Sequence, residues 1–345
     1  RRQLLDRYGG NERTEIAVDD ALAWLAAHQD PIGRWDADGF TARCPRGDEC
    51  EGAALETGAD TGVTGLALLA FLGAGHVHDG ESRHAETVRK GLNWLLKEMH
   101  PDGDLRGRRR EGRVYSHAIA TLAIAEALQL SDDERLRPYA ARAVAWLVRA
   151  QNPDTGGWRY LPREDSDTSV WGWCVLALAS ARQAGIEVPE SAWRQAQSWI
   201  TRIEKGASGG LASYQPAHAP SAAMTAETLV CRQLFGEKRN SDAAIEAAIY
   251  LLQQPPNVRQ PNFYYWYYGT VALFQVGGVQ WERWNDSLQG ALLGAQRRQG
   301  HLKGSWDPQS PVDHDGGRIY STAIATLSLE VYYRHLPLYK DSPGR

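Results

Sequence analysis

The chain has 345 residues, 43% of them hydrophobic, and a formal net charge of −4. That is enough apolar material for a buried core, no apolar run approaches the about 18 residues that a membrane span needs, and the one dense basic stretch, RGRRREGR at 106–113, is too short for a nucleic-acid footprint. No secretory leader shows in the opening RRQLLDRYGG, which reads as the interior of a longer chain; an exported or membrane-anchored protein is the expectation, with any membrane association carried by parts outside this segment.

Segment 21–35, ALAWLAAHQDPIGRW, has apolar residues at helical spacing and then breaks on Pro and Gly. Trp24 is followed by Gln29, Gly33 and Trp35. Next comes 60–75, DTGVTGLALLAFLGAG, apolar nearly all round. Such a helix is buried, and its small residues let neighbours approach closely. The pair then recurs. Segment 91–105, with Trp94, Met99, Gly103 and Leu105, precedes the apolar 115–128. Segment 143–158, with Trp146, Gln151, Gly157 and Trp158, precedes 167–181. Segment 196–211, with Trp199, Glu204, Gly210 and Leu211, precedes 221–236. A degenerate copy at 247–258 precedes 264–278, and 290–302, with Gln296, Gly300 and Leu302, precedes 320–333.

Six amphipathic helices alternating with six buried ones predict an all-α fold, an (α/α)6 toroid of six helix-pair repeats, with residues 1–345 as a single domain. The buried helices form the inner ring. An open solenoid is the alternative; against it, no end copy has the polar face of a cap.

The Gln-x-x-x-Gly-x-Trp element of HQDPIGRW resembles the QW motif of squalene–hopene and oxidosqualene cyclases. The helix alternation resembles the α/α toroid of terpenoid cyclases and protein prenyltransferase β subunits. The stretches GGWRYLPREDSDTSVWGW, YYWYYGT and EVYYRHLPLY are similar to prenyltransferase and squalene oxidase repeat proteins of planctomycete bacteria. The resemblance implies an isoprenoid bound or cyclised in an aromatic central cavity. Such cyclases protonate an alkene or epoxide with a buried carboxylic acid. Their acidic motif, Asp-x-Asp-Asp, is matched in part by Asp165-Ser166-Asp167-Thr168. Aligning the first two aspartates makes Asp167 the acid. Aligning the Asp-Thr pair puts Ser166 there and removes it. Asp165 and Asp167 are therefore the catalytic candidates, with a helix cap as the competing role for Asp167, because Asp60-Thr61 repeats the pair in the first copy.

The prenyltransferase resemblance also directs attention to zinc ligands at inner-helix starts, where this chain offers Asp60, His117, Asp167 and Thr322. No cysteine stands two residues after Asp167, so no metal and no cofactor are expected. His117 reads as a hydrogen-bonded, pore-lining histidine. Trp171, Trp173, Tyr264, Tyr265, Trp266, Tyr268 and Tyr320 are candidates to line the cavity with Asp60 and His117, core packing being the alternative. Glu227 and Glu330, in apolar helices, are lesser candidates, and Asp313, His314 and Asp315 read as an exposed loop. Cys174 and Cys231 read as core residues. Cys44 and Cys50, with five residues between them across a polar turn, are expected to bridge in an oxidising compartment, and the lack of C-x-x-C spacing argues against structural zinc. The expected ligand is a hydrophobic or isoprenoid small molecule. The other reading is a non-catalytic scaffold that holds a peptide, glycan or partner at the same mouth.

Overall fold

A buried helix flanked by breakers is the unit from which this chain builds. In the computed structural model, residues 2–55, 58–107 and 113–334 are described. Most of the basic stretch 106–113 and the end of EVYYRHLPLY therefore lie outside the described residues. In chain order the helices are α1 (Arg2–Tyr8), α2 (Glu12–Ala27), α3 (Asp60–Gly73), α4 (Ala85–Glu98), α5 (Val114–Leu130) and α6 (Arg137–Ala150). Then come α7 (Thr168–Gln183), α8 (Glu190–Ser198), α9 (Ile200–Ile203), α10 (Ala222–Leu234) and α11 (Asp242–Leu252). The last are α12 (Phe263–Val276), α13 (Gly278–Ala295), α14 (Pro311–Leu329) and α15 (Val331–Arg334). Among the described residues the strands are one two-residue antiparallel pair, β1 (Glu204–Lys205) and β2 (Leu211–Ala212). No described helix is long and apolar enough to cross a membrane.

The helices α3, α5, α7, α10, α12 and α14 pack in sequence order, and α14 returns to α3. The inner ring is closed, so the open solenoid is excluded. Small residues set its spacing: a Cβ added at Gly62 or Gly65 would lie 3.0 Å from the backbone of Ser116 or Ala120 in α5. The outer helices α2, α4, α6, α8, α11 and α13 each pack on the inner helix that precedes them in the ring, and for α2 that is α14.

The recurring glutamine and tryptophan fasten these layers. Gln29 Nε2 donates to the carbonyls of Gly33 and of Thr87 in α4, at 2.8 and 2.9 Å. Gln151 does the same to Gly156 and to Ala192 in α8, at 2.7 and 3.1 Å. Gln296 reaches Gly304 at 3.0 Å and Ala17 in α2 at 2.8 Å, across the seam of the ring. The indoles of Trp35, Trp158 and Trp306 donate to the last carbonyls of their own outer helices, Leu25, Leu147 and Leu292, at 2.8–2.9 Å. The indoles thus bond the last turns of their own outer helices, and the glutamines tie each turn to the next outer helix. Three registers differ from the sequence expectation, the fourth copy placing Ala212 rather than Leu211 at the tryptophan position. The turn glycine of the third copy is Gly156 (φ 79°), not Gly157, and the last copy closes on Gly304 and Trp306 rather than Gly300 and Leu302. In these two copies the glycine lies against a backbone carbonyl of the next outer helix, Gln195 or Asp20, where a side chain would collide.

Candidate functional site

The N-terminal ends of the inner helices surround a cavity of about 360 Å³, within the usual range of small-molecule sites. Ala59, Val63 and Leu66 of α3 and its approach, Ile119 of α5, and Ala223 and Met224 of α10 supply its aliphatic wall. Trp173, Tyr264 and Tyr320 supply rings from α7, α12 and α14, and Tyr115, Tyr160 and Tyr214 add three more. Arg113, Ser116, Ser169, Asn262 and Asp315 add polar groups to the lining, and Asp315 is its one carboxylate among the described residues. A second opening of about 930 Å³ lies at the opposite end of the ring, lined in part by the half-buried Glu126–Arg334 pair (2.6 Å). Glu330 is buried next to that end, far along α14 from the first cavity.

The predicted aromatic set divides by helix face. Trp173, Tyr264 and Tyr320 line the cavity. Tyr268 lies just beneath it, packed on Trp173 and Tyr264. Trp171, Tyr265 and Trp266 do not line it. The Trp171 indole donates to Ala196 at 2.8 Å, and the Tyr265 hydroxyl donates to Leu251 and Gln254 at 3.2 and 2.9 Å, so both point to the outer ring. Trp266 packs edge-on against Phe263.

His117 is a wall residue, not a cavity residue. Its Nδ1 accepts from the Leu105 backbone N–H at 3.0 Å, which leaves Nε2 to donate to the Ala143 carbonyl at 3.1 Å. Thr64, Thr225 and Thr322 accept the corresponding backbone bonds from Trp35, Ala212 and Trp306 in other repeats. Burial lowers the His117 pKa to about 4, so the ring is neutral and fully engaged. A metal cluster of Asp60, His117 and Asp167 does not form.

Asp167 is the N-cap of α7: its Oδ1 accepts from Val170 N at 2.9 Å and from Ser169 Oγ at 3.1 Å. Its Oδ2 lies 3.6 Å from Arg159 Nε. It is wholly buried, and burial outweighs these bonds and raises its pKa. The cavity reaches it through one hydroxyl, because Ser169 lines the cavity and donates to Asp167, and the Tyr115 hydroxyl bonds the same Ser169 Oγ. Asp60 does not repeat this role. Ala59 holds the cap position of α3, while Asp60 accepts from Ala37 N at 3.0 Å and from Arg34 Nη1 at 2.5 Å. Asp165 is exposed, bonded to Ser166 N and Gln215, and outside the cavity lining. Ser166, at the acid position of the second alignment, is buried and bonded to Thr155. Asp313 is also not a loop residue: it caps α14 in a reciprocal pair with Ser310.

Behind the lining stands a second carboxyl, Glu227, in the middle of α10. The Tyr264 hydroxyl, which lines the cavity, donates to its Oε2 at 2.7 Å. Burial first, and the charge of Asp167 second among the raising causes, hold the Glu227 pKa well above the usual carboxylate range. Its carboxyl lies behind an aromatic wall, where burial favours the neutral form. Tyr160 and Tyr214 were missed in the sequence although a signal existed. Each stands two residues after the residue at the motif-tryptophan position, Trp158 or Ala212, and their hydroxyls meet at 2.7 Å.

The squalene-hopene cyclase C-terminal domain family matches residues 59–188. A squalene–hopene cyclase of Bradyrhizobium diazoefficiens is 26% identical over 212 residues, which is 56% of this chain and 30% of that protein. The chain thus spans under a third of the curated relative it matches. A variant of the type II terpene cyclase MstE from Scytonema, in complex with merosterolic acid A, superposes with a TM-score of 0.58 at 16% identity, covering 95% of this chain and 98% of that one. This chain is similar to terpenoid cyclases and folds as an α/α toroid. The toroid shape is shared more widely: an α-1,6-mannanase of Salegentibacter sp. with bound α-1,6-mannotetrose superposes at TM-score 0.64 and 8% identity, over 94% of this chain and 99% of that one. The choice between a lipid-like and a sugar-like ligand for this toroid therefore rests on its own cavity lining.

Proposed function

We propose that this toroid binds an isoprenoid-like hydrophobic small molecule in the cavity at the inner-helix N-termini. The observation that carries the reading is the lining: aliphatic side chains and six aromatic rings, with Asp315 its single carboxylate among the described residues. A glycoside hydrolase needs two carboxyl groups facing one bond, whereas a hydrocarbon chain needs apolar wall and no charge. Arg113, Asn262 and Asp315 give the rim a polar collar for one polar end of the ligand. The partial acidic motif does not deliver its acid to the cavity, since Asp165 is exposed, Ser166 is bonded to Thr155, and Asp167 caps a helix. Binding is thus the primary activity.

The test is a titration followed by tryptophan fluorescence, with Trp173 in the wall as reporter. Farnesol, geranylgeraniol and squalene are compared with α-1,6-mannotetraose. Affinity should rise with prenyl length until the cavity is full, since each buried CH2 contributes about 0.8 kcal/mol. Ala223→Trp, which fills the mouth, should abolish binding with the fold intact. Saturable binding of the oligosaccharide with none of the prenyl alcohols would overturn the proposal.

A further inference from the structure

Four side chains outside the cavity converge at the seam where the ring closes. His28 ends α2, Cys44 and Cys50 flank the turn that follows, and His301 comes from the short turn Gly300–Leu302 of the last repeat. His28 Nε2 lies 3.6 Å from Cys44 Sγ, 3.5 Å from Cys50 Sγ and 3.0 Å from His301 Nε2. All four candidate ligand atoms fall within 4.8 Å of one another. Cys44 and Cys50 are free thiols, so the bridge expected from their spacing is not formed.

We propose that His28, Cys44, Cys50 and His301 form a tetrahedral zinc site that staples the first repeat to the last. Bond lengths of about 2.3 Å to sulfur and about 2.0–2.1 Å to nitrogen put tetrahedral neighbours about 3.3–3.8 Å apart, close to the spacing found here. The surroundings also fit. His28 Nδ1 lies 2.7 Å from the Trp24 carbonyl, to which it donates, so the Nε2 lone pair faces the cluster. The Cys50 backbone N–H donates to Cys44 Sγ at 3.2 Å, a bond that steadies a thiolate. His28 and Cys50 are buried, and Cys44 and His301 partly so. Two thiolates neutralise a divalent cation, so the filled site carries no net charge into the interior. As the two metal–sulfur bonds form, two thiol protons leave to solvent. Four protein ligands leave no open position, so the metal holds structure and performs no chemistry. The site is separate from the cavity, none of whose lining residues it shares. The sequence concealed it because its histidines stand 273 residues apart and only ring closure joins them.

The test uses the full chain, reduced and stripped of metal with a chelator, then titrated with cobalt(II). The expected result is one equivalent bound, with the intense visible bands of tetrahedral cobalt and a sulfur-to-metal band in the near ultraviolet. Zinc should displace it stoichiometrically and raise Tm. Cys50→Ser and His301→Ala should lose the bands, and Cys174→Ser, a core cysteine, should keep them. His301 is partly exposed, so its variant should stay folded by circular dichroism. Absence of the bands in helical, reduced wild type would overturn the proposal. So would bands that survive His301→Ala and Cys50→Ser, or a native Cys44–Cys50 disulfide whose reduced form takes up no cobalt.

Discussion

Glu227 occupies the space that a side chain at Gly172 would need. A Cβ added to Gly172 would collide with Glu227 Oε1 and lie 2.5 Å from its Cδ. The glycine in α7 thus makes room for the acid in α10. Gly172→Ala should destabilise by about 1–3 kcal/mol, the usual cost of overpacking. Adding Glu227→Ala should recover part of that loss. A double-mutant cycle in urea checks the pair, and additive costs would show that the two positions are uncoupled.

Asp167 separates cap from acid on one substitution. Asn keeps the acceptor for Val170 N, so Asp167→Asn should leave Tm nearly unchanged, while Ala should cost roughly 0.5–2 kcal/mol. Asp165→Ala should be silent, because that side chain is exposed. Thermal melts of the three variants, run beside prenyl-ligand titrations, test this. Loss of a prenyl-dependent activity in Asp167→Asn at unchanged Tm would give Asp167 a chemical role.

Glu227 makes stability fall on the alkaline side. Its folded pKa lies above its unfolded value, so the stabilisation is complete below the unfolded pKa and is lost as pH rises through the folded one. In that window each pH unit removes about 1.4 kcal/mol per proton. Glu227→Gln keeps an acceptor for Tyr264 and cannot ionise. Its unfolding free energy should therefore decline less than wild type between pH 5 and pH 9 (about the span of neutral buffers). Parallel curves would refute the buried, protonated acid.

His117 has the opposite sign. Its folded pKa, about 4, lies below the ordinary 6.5, so the unfolded chain takes up a proton first as pH falls through that window. Stability should drop from pH 6.5 toward 4 by on the order of 3 kcal/mol from this one ring. His117→Thr places at this position the residue that Thr64, Thr225 and Thr322 supply elsewhere. The variant should be less stable at pH 7, having lost the bond to Ala143, yet flatter in acid. Denaturant melts across the window, subtracted from wild type, isolate the effect from other titrating groups.

The ring was legible because its cause is local. Six alternations of amphipathic and all-apolar helix leave few other ways to bury the second set, and the motif glutamines and tryptophans act within and between neighbouring repeats. The cavity was less legible. The run FYYWYYG presents rings on every face of α12, and periodicity cannot say that Tyr264 looks inward while Tyr265 bonds the end of α11. Tyr115, Tyr160 and Tyr214 come from different repeats and meet only when the ring forms. His117 misled in the same way. A histidine at an inner-helix start resembles a ligand, but the threonines at the matching positions mark it as a wall acceptor.

The return of α2 onto α14 has a consequence for how such a chain can change over evolutionary time. An open array gains or loses a repeat at either end, because every interface is the same and the last one is merely uncovered. Here the last inner helix is already matched to the first outer one, and Gln296 is spent on Ala17. A seventh repeat would have to prise that seam apart and reset every angle around the ring at once. Repeat number is therefore frozen, and novelty has to enter through the turns. The long excursion between Trp35 and Asp60, which carries both seam cysteines, is the kind of turn that could take such change.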